Sequence, residues 1–208
     1  NYMDAVKKNL DISKSKTLKD AVYEAFRKTI VLGEIPAGER INELEFSDKL
    51  NISRTPIRFA LDKLAEEKLV ERIPGVGTMV IGISIKDAHE IFDIRKALDT
   101  LATSRAMKLM TPADFQALKE LLEKGDYYNE TDQVDLLLDN FSDFNAFIFE
   151  HAQMPRLQSI VTELQTYLFY FRDISIRASE RRSVALNEHW LIYRGMCNQD
   201  IEQIRMII

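Results

Sequence analysis

The sequence predicts a mainly α protein in two parts: a small N-terminal unit that ends in one β-hairpin, then an all-α antiparallel helical bundle. Three observations carry this expectation. Seven Gly and five Pro in 208 residues leave few positions that interrupt helices. Apolar residues recur at helical spacing along most of the chain. Strand signals occur only on either side of one turn, Pro74-Gly75-Val76-Gly77, and not after Ser84.

The first helix is expected over residues 17–32, with Leu18, Val22, Phe26, Ile30 and Val31 on one face. Thr17 suits its N-cap and Gly33 its stop. Residues 34–39, with Pro36 and Gly38, form a turn. Ile41, Leu44, Phe46 and Leu50 mark a short second helix, and Asn51 begins a tight turn. The third helix opens on Ser53-Arg54-Thr55-Pro56-Ile57-Arg58 and runs to about residue 68. Ser53 is a favoured N-cap, and Pro56 is tolerated because first-turn N–H groups lack intrahelical acceptors. Arg54, Thr55 and Arg58 then stand at the end that carries positive dipole and free N–H groups. Ala60, Leu61 and Leu64 supply the face that holds this helix on a core. Residues 69–73 and 78–83 are short strands joined through residues 74–77. Three helices and a hairpin make a winged helix-turn-helix over residues 1–83, with the third helix placed to read DNA.

Residues 84–208 are expected to be helical throughout. The first helix, residues 87–110, lines one side with Ile91, Ile94, Leu98, Leu101 and Ala102. Thr111-Pro112-Ala113-Asp114 caps the next, which ends near residue 124 at a polar break over 125–131. Further helices follow at residues 135–153, 155–172, 183–198 and 201–208.

Bulk properties narrow the function. The single Cys197 permits no internal disulfide, which fits a reducing cytoplasm. No run of 18 apolar residues is present, so no membrane span is expected. The first residues lack a signal-peptide core, and Met3 reads as the native start behind two added residues. The net charge is −5, yet residues 1–82 are slightly basic and the acidic excess lies beyond them. No nucleophile elbow, P-loop, dinucleotide fingerprint or zinc-hydrolase motif occurs, which argues against an enzyme.

Residues 17–83 resemble the DNA-binding domain of GntR-type transcription regulators. The match runs through Ile30-Val31-Leu32-Gly33-Glu34-Ile35-Pro36-Ala37-Gly38-Glu39-Arg40-Ile41, then Ser53 to Leu61, Leu64, Leu69-Val70 and Gly77. The remainder is similar to the FCD effector domain of the FadR subgroup, through Ile94-Arg95-Lys96-Ala97-Leu98-Asp99, Phe144 to Ile148, Met154-Pro155-Arg156-Leu157, Glu188-His189 and Asn198-Gln199-Asp200. The resemblance implies a homodimer that binds a double-stranded operator and responds to a small molecule, most commonly as a repressor released by ligand. Under it, Arg54 and Arg58 contact bases or phosphates and Ser53 and Thr55 contact phosphates. The wing glycines, Gly75 and Gly77, reach the minor groove. Leu44 stands where some FadR-type proteins carry a DNA-touching arginine.

Many FCD domains hold a divalent metal on an Asp and a His one turn apart plus two later histidines. Here Phe141 takes the Asp place and Asn145 the first His place, and the last position falls beyond Ile208. His189 alone stands at a ligand position, so the expectation is a metal-free or altered pocket, with a divalent metal held through His189 as the alternative. Its effector-binding candidates are Arg95, Asn145, His189 and Tyr193, within a wall of Phe141, Phe144, Phe147, Phe149, Tyr167, Phe169, Tyr170 and Trp190. Arg95 suits a carboxylate, which points to an organic acid. Arg172 is a further candidate for this pocket, whereas Arg181-Arg182 reads as a solvated helix start and His151 as structural. A constitutive DNA binder whose bundle only dimerises is the alternative; an enzyme with a DNA-binding domain is the weakest.

Overall fold

The structure, a computed structural model, describes residues 1–13, 17–176 and 179–208, the side chains of 171–176 excepted. Its contacts divide the chain into two compact units, Asn1–Ala88 and His89–Ile208.

The first unit is built on α2 (Leu18–Val31), α3 (Glu43–Leu50) and α4 (Arg54–Glu66). Thr17 caps α2 as expected, its hydroxyl accepting from the Asp20 N–H at 3.2 Å. The apolar stripe of α2, with Ala21, Val22, Ala25 and Phe26 at 0–1% exposure, meets Ile57, Ala60, Leu61 and Leu64 of α4, all at 0%. Each of the larger side chains among these, Val22, Phe26, Ile57, Leu61 and Leu64, contributes roughly 1.5–3 kcal/mol of burial, so α4 is fixed to the core along its inner face. A three-stranded antiparallel sheet runs in the order β1 (Arg40–Ile41), β3 (Gly77–Val80), β2 (Val70–Ile73). Val70 pairs with Val80 and Ile73 with Gly77, and Arg40 pairs with Met79. Two of these elements were not expected. The two-residue β1 is too short to show a period. An N-terminal helix, α1 (Tyr2–Asn9), buries Val6 completely, sets Tyr2 against Phe46 and pairs Asp4 with Lys49.

The second unit comprises α5 (Ile85–Leu109) from His89 onward, α6 (Pro112–Glu130), α7 (Val134–Ala152), α8 (Pro155–Ile176), α9 (Ser179–Cys197) and α10 (Ile201–Ile207). Thr111 and Asp114 form the expected capping box at the start of α6. The core gathers Ala102, Met107, Leu118, Leu122, Phe144, Ile148, Val161, Met196 and Ile204.

Four expectations are corrected. The break expected at residues 125–131 is helix as far as Glu130, and Gly125 lies where α6 passes α7: a Cβ there would sit 2.6 Å from Asn140 Oδ1. The helix expected from residue 183 starts at Ser179, and Arg182 is buried on it, donating to Asp132 Oδ1 at 2.7 Å rather than facing solvent. Ile94 and Leu101 of α5 are 39% and 43% exposed instead of facing the core, while Ile91 and Ala102 are buried. Phe169 is 54% exposed and belongs to no wall. The side chain of Arg172 lies outside the described residues.

Candidate functional site

The turn between α3 and α4 is made by Asn51, which adopts the left-handed conformation at φ 53° that Asn tolerates better than most residues. Ser53 follows at the N-cap, yet its side chain makes no capping hydrogen bond. The third position of α4 is Pro56, which has no N–H to offer, so one of the two usual capping donors is absent. The Ser53 hydroxyl and the first N–H groups of α4 therefore stay unused at the tip. Ser53, Arg54, Thr55 and Arg58 are all exposed there.

The arginines are held in place. Glu43, at the start of α3, accepts from Arg54 Nη2 at 3.0 Å and Arg58 Nε at 3.1 Å through Oε2, and from Arg72 Nη1 at 3.3 Å through Oε1. Arg72, on β2, also donates to Asp62 Oδ1 at 2.7 Å and Thr78 Oγ1 at 2.9 Å. Burial works to raise the Glu43 pKa, but hydrogen bonds from Arg58, Arg54 and Arg72 outweigh it and hold the carboxyl below its ordinary value. At the wing, Gly75 has φ +77° and Gly77 φ +116°, and the Arg40 guanidinium lies 3.2 Å from where a Gly77 Cβ would be. Residue 77 thus needs glycine both for its backbone and for Arg40.

In the bundle, a small cavity of about 50 Å³ is lined by Asp99, Thr103, Phe144, Asn145, Ile148, Phe149, Ile192 and Ile208. Of the four expected effector residues, Asn145 lines it. Arg95 reaches it through Asp99, to which its Nη2 donates at 3.1 Å; the Arg95 Nε is buried with no hydrogen-bond partner among the described residues. His189 is buried behind Phe144, stacked on that ring at 4.1 Å and 13°. Tyr193 is not in the lining. It packs on Trp190, and burial first, then the neighbouring Cys197, push its hydroxyl up to about 12.

These two sites coincide with two family matches. The model of the bacterial regulatory proteins of the gntR family matches residues 18–80, and that of the FCD domain residues 90–208. The chain belongs to the GntR family of transcription regulators. The regulator is 30% identical over 171 residues to the gluconate operon transcriptional repressor of Bacillus subtilis (strain 168), covering 80% of this chain and 68% of that one. It is 24% identical over 189 residues to the HTH-type transcriptional repressor RspR of Escherichia coli (strain K12), covering 91% and 83%. Among solved structures, E. coli McbR/YncC has a TM-score of 0.60 at 23% identity, covering 93% of this chain and 92% of that one. Lar, which controls expression of the Listeria monocytogenes agr system, has 0.68 at 18%, covering 94% and 93%. These two likenesses show the shared fold. The relatives are DNA-binding transcription regulators and not enzymes, and so is this chain.

The metal implied by the bundle's resemblance does not fit the donors of this regulator. Phe141 offers no lone pair where a carboxylate is needed, and its ring edge meets His189 at 5.1 Å and 87°. No group of three or more His, Cys, Asp or Glu side chains able to hold a metal is found among the described residues. His151 donates from Nδ1 to the Phe147 carbonyl oxygen at 2.8 Å and stacks on that ring, a structural placement. Sequence reasoning missed Glu43, Arg72 and Arg40. Glu43 lies 11 and 15 residues before its partners, beyond any helical spacing that would have signalled the contacts.

Proposed function

We propose that this regulator is a homodimeric repressor that reads a two-fold operator with α4 and the wing and leaves DNA when a small organic acid enters the bundle. The observation that carries the reading is the tip of α4, where Ser53, Arg54, Thr55 and Arg58 are exposed together at a helix N-terminus whose cap is open. Arg54 and Arg58 supply base or phosphate contacts, Ser53 and Thr55 bind phosphate, and Gly75 and Gly77 let the wing backbone approach the minor groove. Ile94 and Leu101, exposed on α5, supply an apolar strip for the second copy. Cytoplasmic location follows from the operator as partner.

The effector reading rests on the cavity beside Asn145 and on the buried, unbonded Nε of Arg95, a cationic donor that a carboxylate would satisfy. His189 acts through the position of Phe144 rather than as a ligand in this reading, and Tyr193 drops out of the site.

The test is operator affinity of the full chain on a duplex selected from random sequence. Arg54→Ala or Arg58→Ala weakens binding by ~1–3 kcal/mol, the size of one base contact. Wild-type affinity in both variants removes the assignment of α4. For the bundle, a panel of small carboxylates is screened by thermal shift. Saturation at ~100 times the dissociation constant adds ~2.7 kcal/mol and releases the duplex. Stabilisation by none of them, with DNA binding intact, favours the constitutive binder.

A further inference from the structure

Glu43 is the least exposed member of the charged network at the DNA-facing tip, its side chain 16% exposed against 47% for Arg54, 58% for Arg58 and 38% for Arg72. Its three donors come from two elements, α4 and the wing strand β2. The geometry of each hold matters. Arg58 is gripped through Nε, so its Nη1 and Nη2 end stays available, and that end matches O6 and N7 of guanine. Arg54 is gripped through Nη2, which leaves Nε and Nη1. Arg72 is fixed by Glu43, Asp62 and Thr78 together, which ties the wing to α4. A long arginine on a helix surface would otherwise sample many rotamers and lose that freedom on each base contact.

We propose that Glu43 is a specificity-determining positioning residue, which holds Arg58 and Arg54 in the pose that reads base edges while its charge withholds part of their attraction for phosphate of any sequence. The second effect follows from the first. One carboxylate shared by three guanidinium groups lowers the local positive charge, and that charge drives sequence-independent binding. Removing the carboxylate therefore loosens reading and strengthens indiscriminate attraction together. This inference rests on the proposal that α4 enters the groove.

The experiment selects a consensus duplex for the full-length wild type from random sequence. It then measures binding of wild type, Glu43→Gln, Arg54→Ala and Arg58→Ala to that duplex and to a shuffled duplex. Gln keeps the size and one acceptor oxygen, and replaces the other oxygen and the charge by an NH2 donor that the guanidinium groups cannot use. Glu43→Gln is expected to bind the shuffled duplex as tightly as wild type or more so. On the consensus it is expected to bind more weakly, so that the specificity ratio falls roughly 5- to 150-fold, the range of one bidentate contact. Selection with Glu43→Gln relaxes the same base positions as selection with Arg58→Ala or Arg54→Ala. In the Arg54→Ala/Arg58→Ala background, Glu43→Gln has little further effect on the ratio. A wild-type ratio in Glu43→Gln overturns the proposal. So does an effect of full size in the double-arginine background, because that is the mark of a general structural role and holds even if the variant melts lower. If the arginine variants keep the wild-type base preference, the reading of α4 fails and this inference falls with it. If they lose that preference and Glu43→Gln keeps it, this inference alone fails.

Discussion

Replacing Pro56 by Ala gives α4 an N–H at the third position, where the Ser53 hydroxyl has nothing to accept from at present. The new cap is worth about 1 kcal/mol, within a range of ~0.5–2. Losing the proline's restriction of the unfolded chain costs ~0.4–1 kcal/mol. The two nearly cancel, so Pro56→Ala by itself leaves the stability of the DNA-binding unit within about 1 kcal/mol of the parent. The informative step is to remove the hydroxyl in both backgrounds. Ser53→Ala is expected to be close to neutral in the parent and to cost about 1 kcal/mol beside Ala at position 56. For the 88 residues of Asn1–Ala88, at ~2.1 cal/mol/K of unfolding entropy per residue, 1 kcal/mol is a shift of roughly 5 °C in melting temperature. Denaturant unfolding of the four full-length proteins measures the cycle. On DNA, Pro56→Ala draws the hydroxyl inward and weakens operator binding, with the salt slope unchanged because no cation is lost. A Ser53→Ala penalty of about 1 kcal/mol already present in the parent would refute the argument, since the hydroxyl would then be capping α4 despite the proline.

Three further outcomes are expected. Phe144→Ala removes a ring that is 1% exposed and stacked on His189, and should cost ~3–5 kcal/mol by thermal or denaturant unfolding; a loss below ~1 kcal/mol would mean the bundle does not pack on it. Gly77→Ala strains a backbone at φ +116° and presses on Arg40, so a loss of ~1–3 kcal/mol with weaker operator binding is expected, and wild-type melting would contradict the wing geometry. The carboxyl of Glu43 is held below its ordinary value of 4.5 by Arg58, Arg54 and Arg72 against the opposing effect of burial. Its depressed value in the folded state means that its stabilising contribution is full above about pH 4.5 and is lost as pH falls through the lowered value. The stability difference between wild type and Glu43→Gln should accordingly be flat from pH 7 to about 5 and shrink below; a difference that grows on acidification has the wrong sign.

What the sequence determined by itself was local. The stripe of α2, the cap at Thr17, the turn at Asn51, the inner face of α4 and the capping box at Thr111 are set by residues within one or two turns of each other, so spacing and residue type reveal them. The exposure of Ser53, Arg54, Thr55 and Arg58 followed from the same register. Tertiary structure decided everything that depends on a distant neighbour. Gly125 looks like a helix breaker until Asn140 is brought to within 2.6 Å of its missing Cβ; only then is it the one residue that fits. Arg95 looks like a free cation until Asp99 is seen to share its charge at the cavity wall, and Arg182 looks solvated until Asp132 meets it. Ile94 and Leu101 carry a helical period, but the period cannot say which side of α5 the core occupies. Glu43 shows the limit most clearly. An acidic residue in the first turn of a helix reads as an ordinary partner of the helix dipole. Its place among Arg54, Arg58 and Arg72 exists only because the turn at Asn51 and the β2–β3 hairpin bring three separate segments to one point.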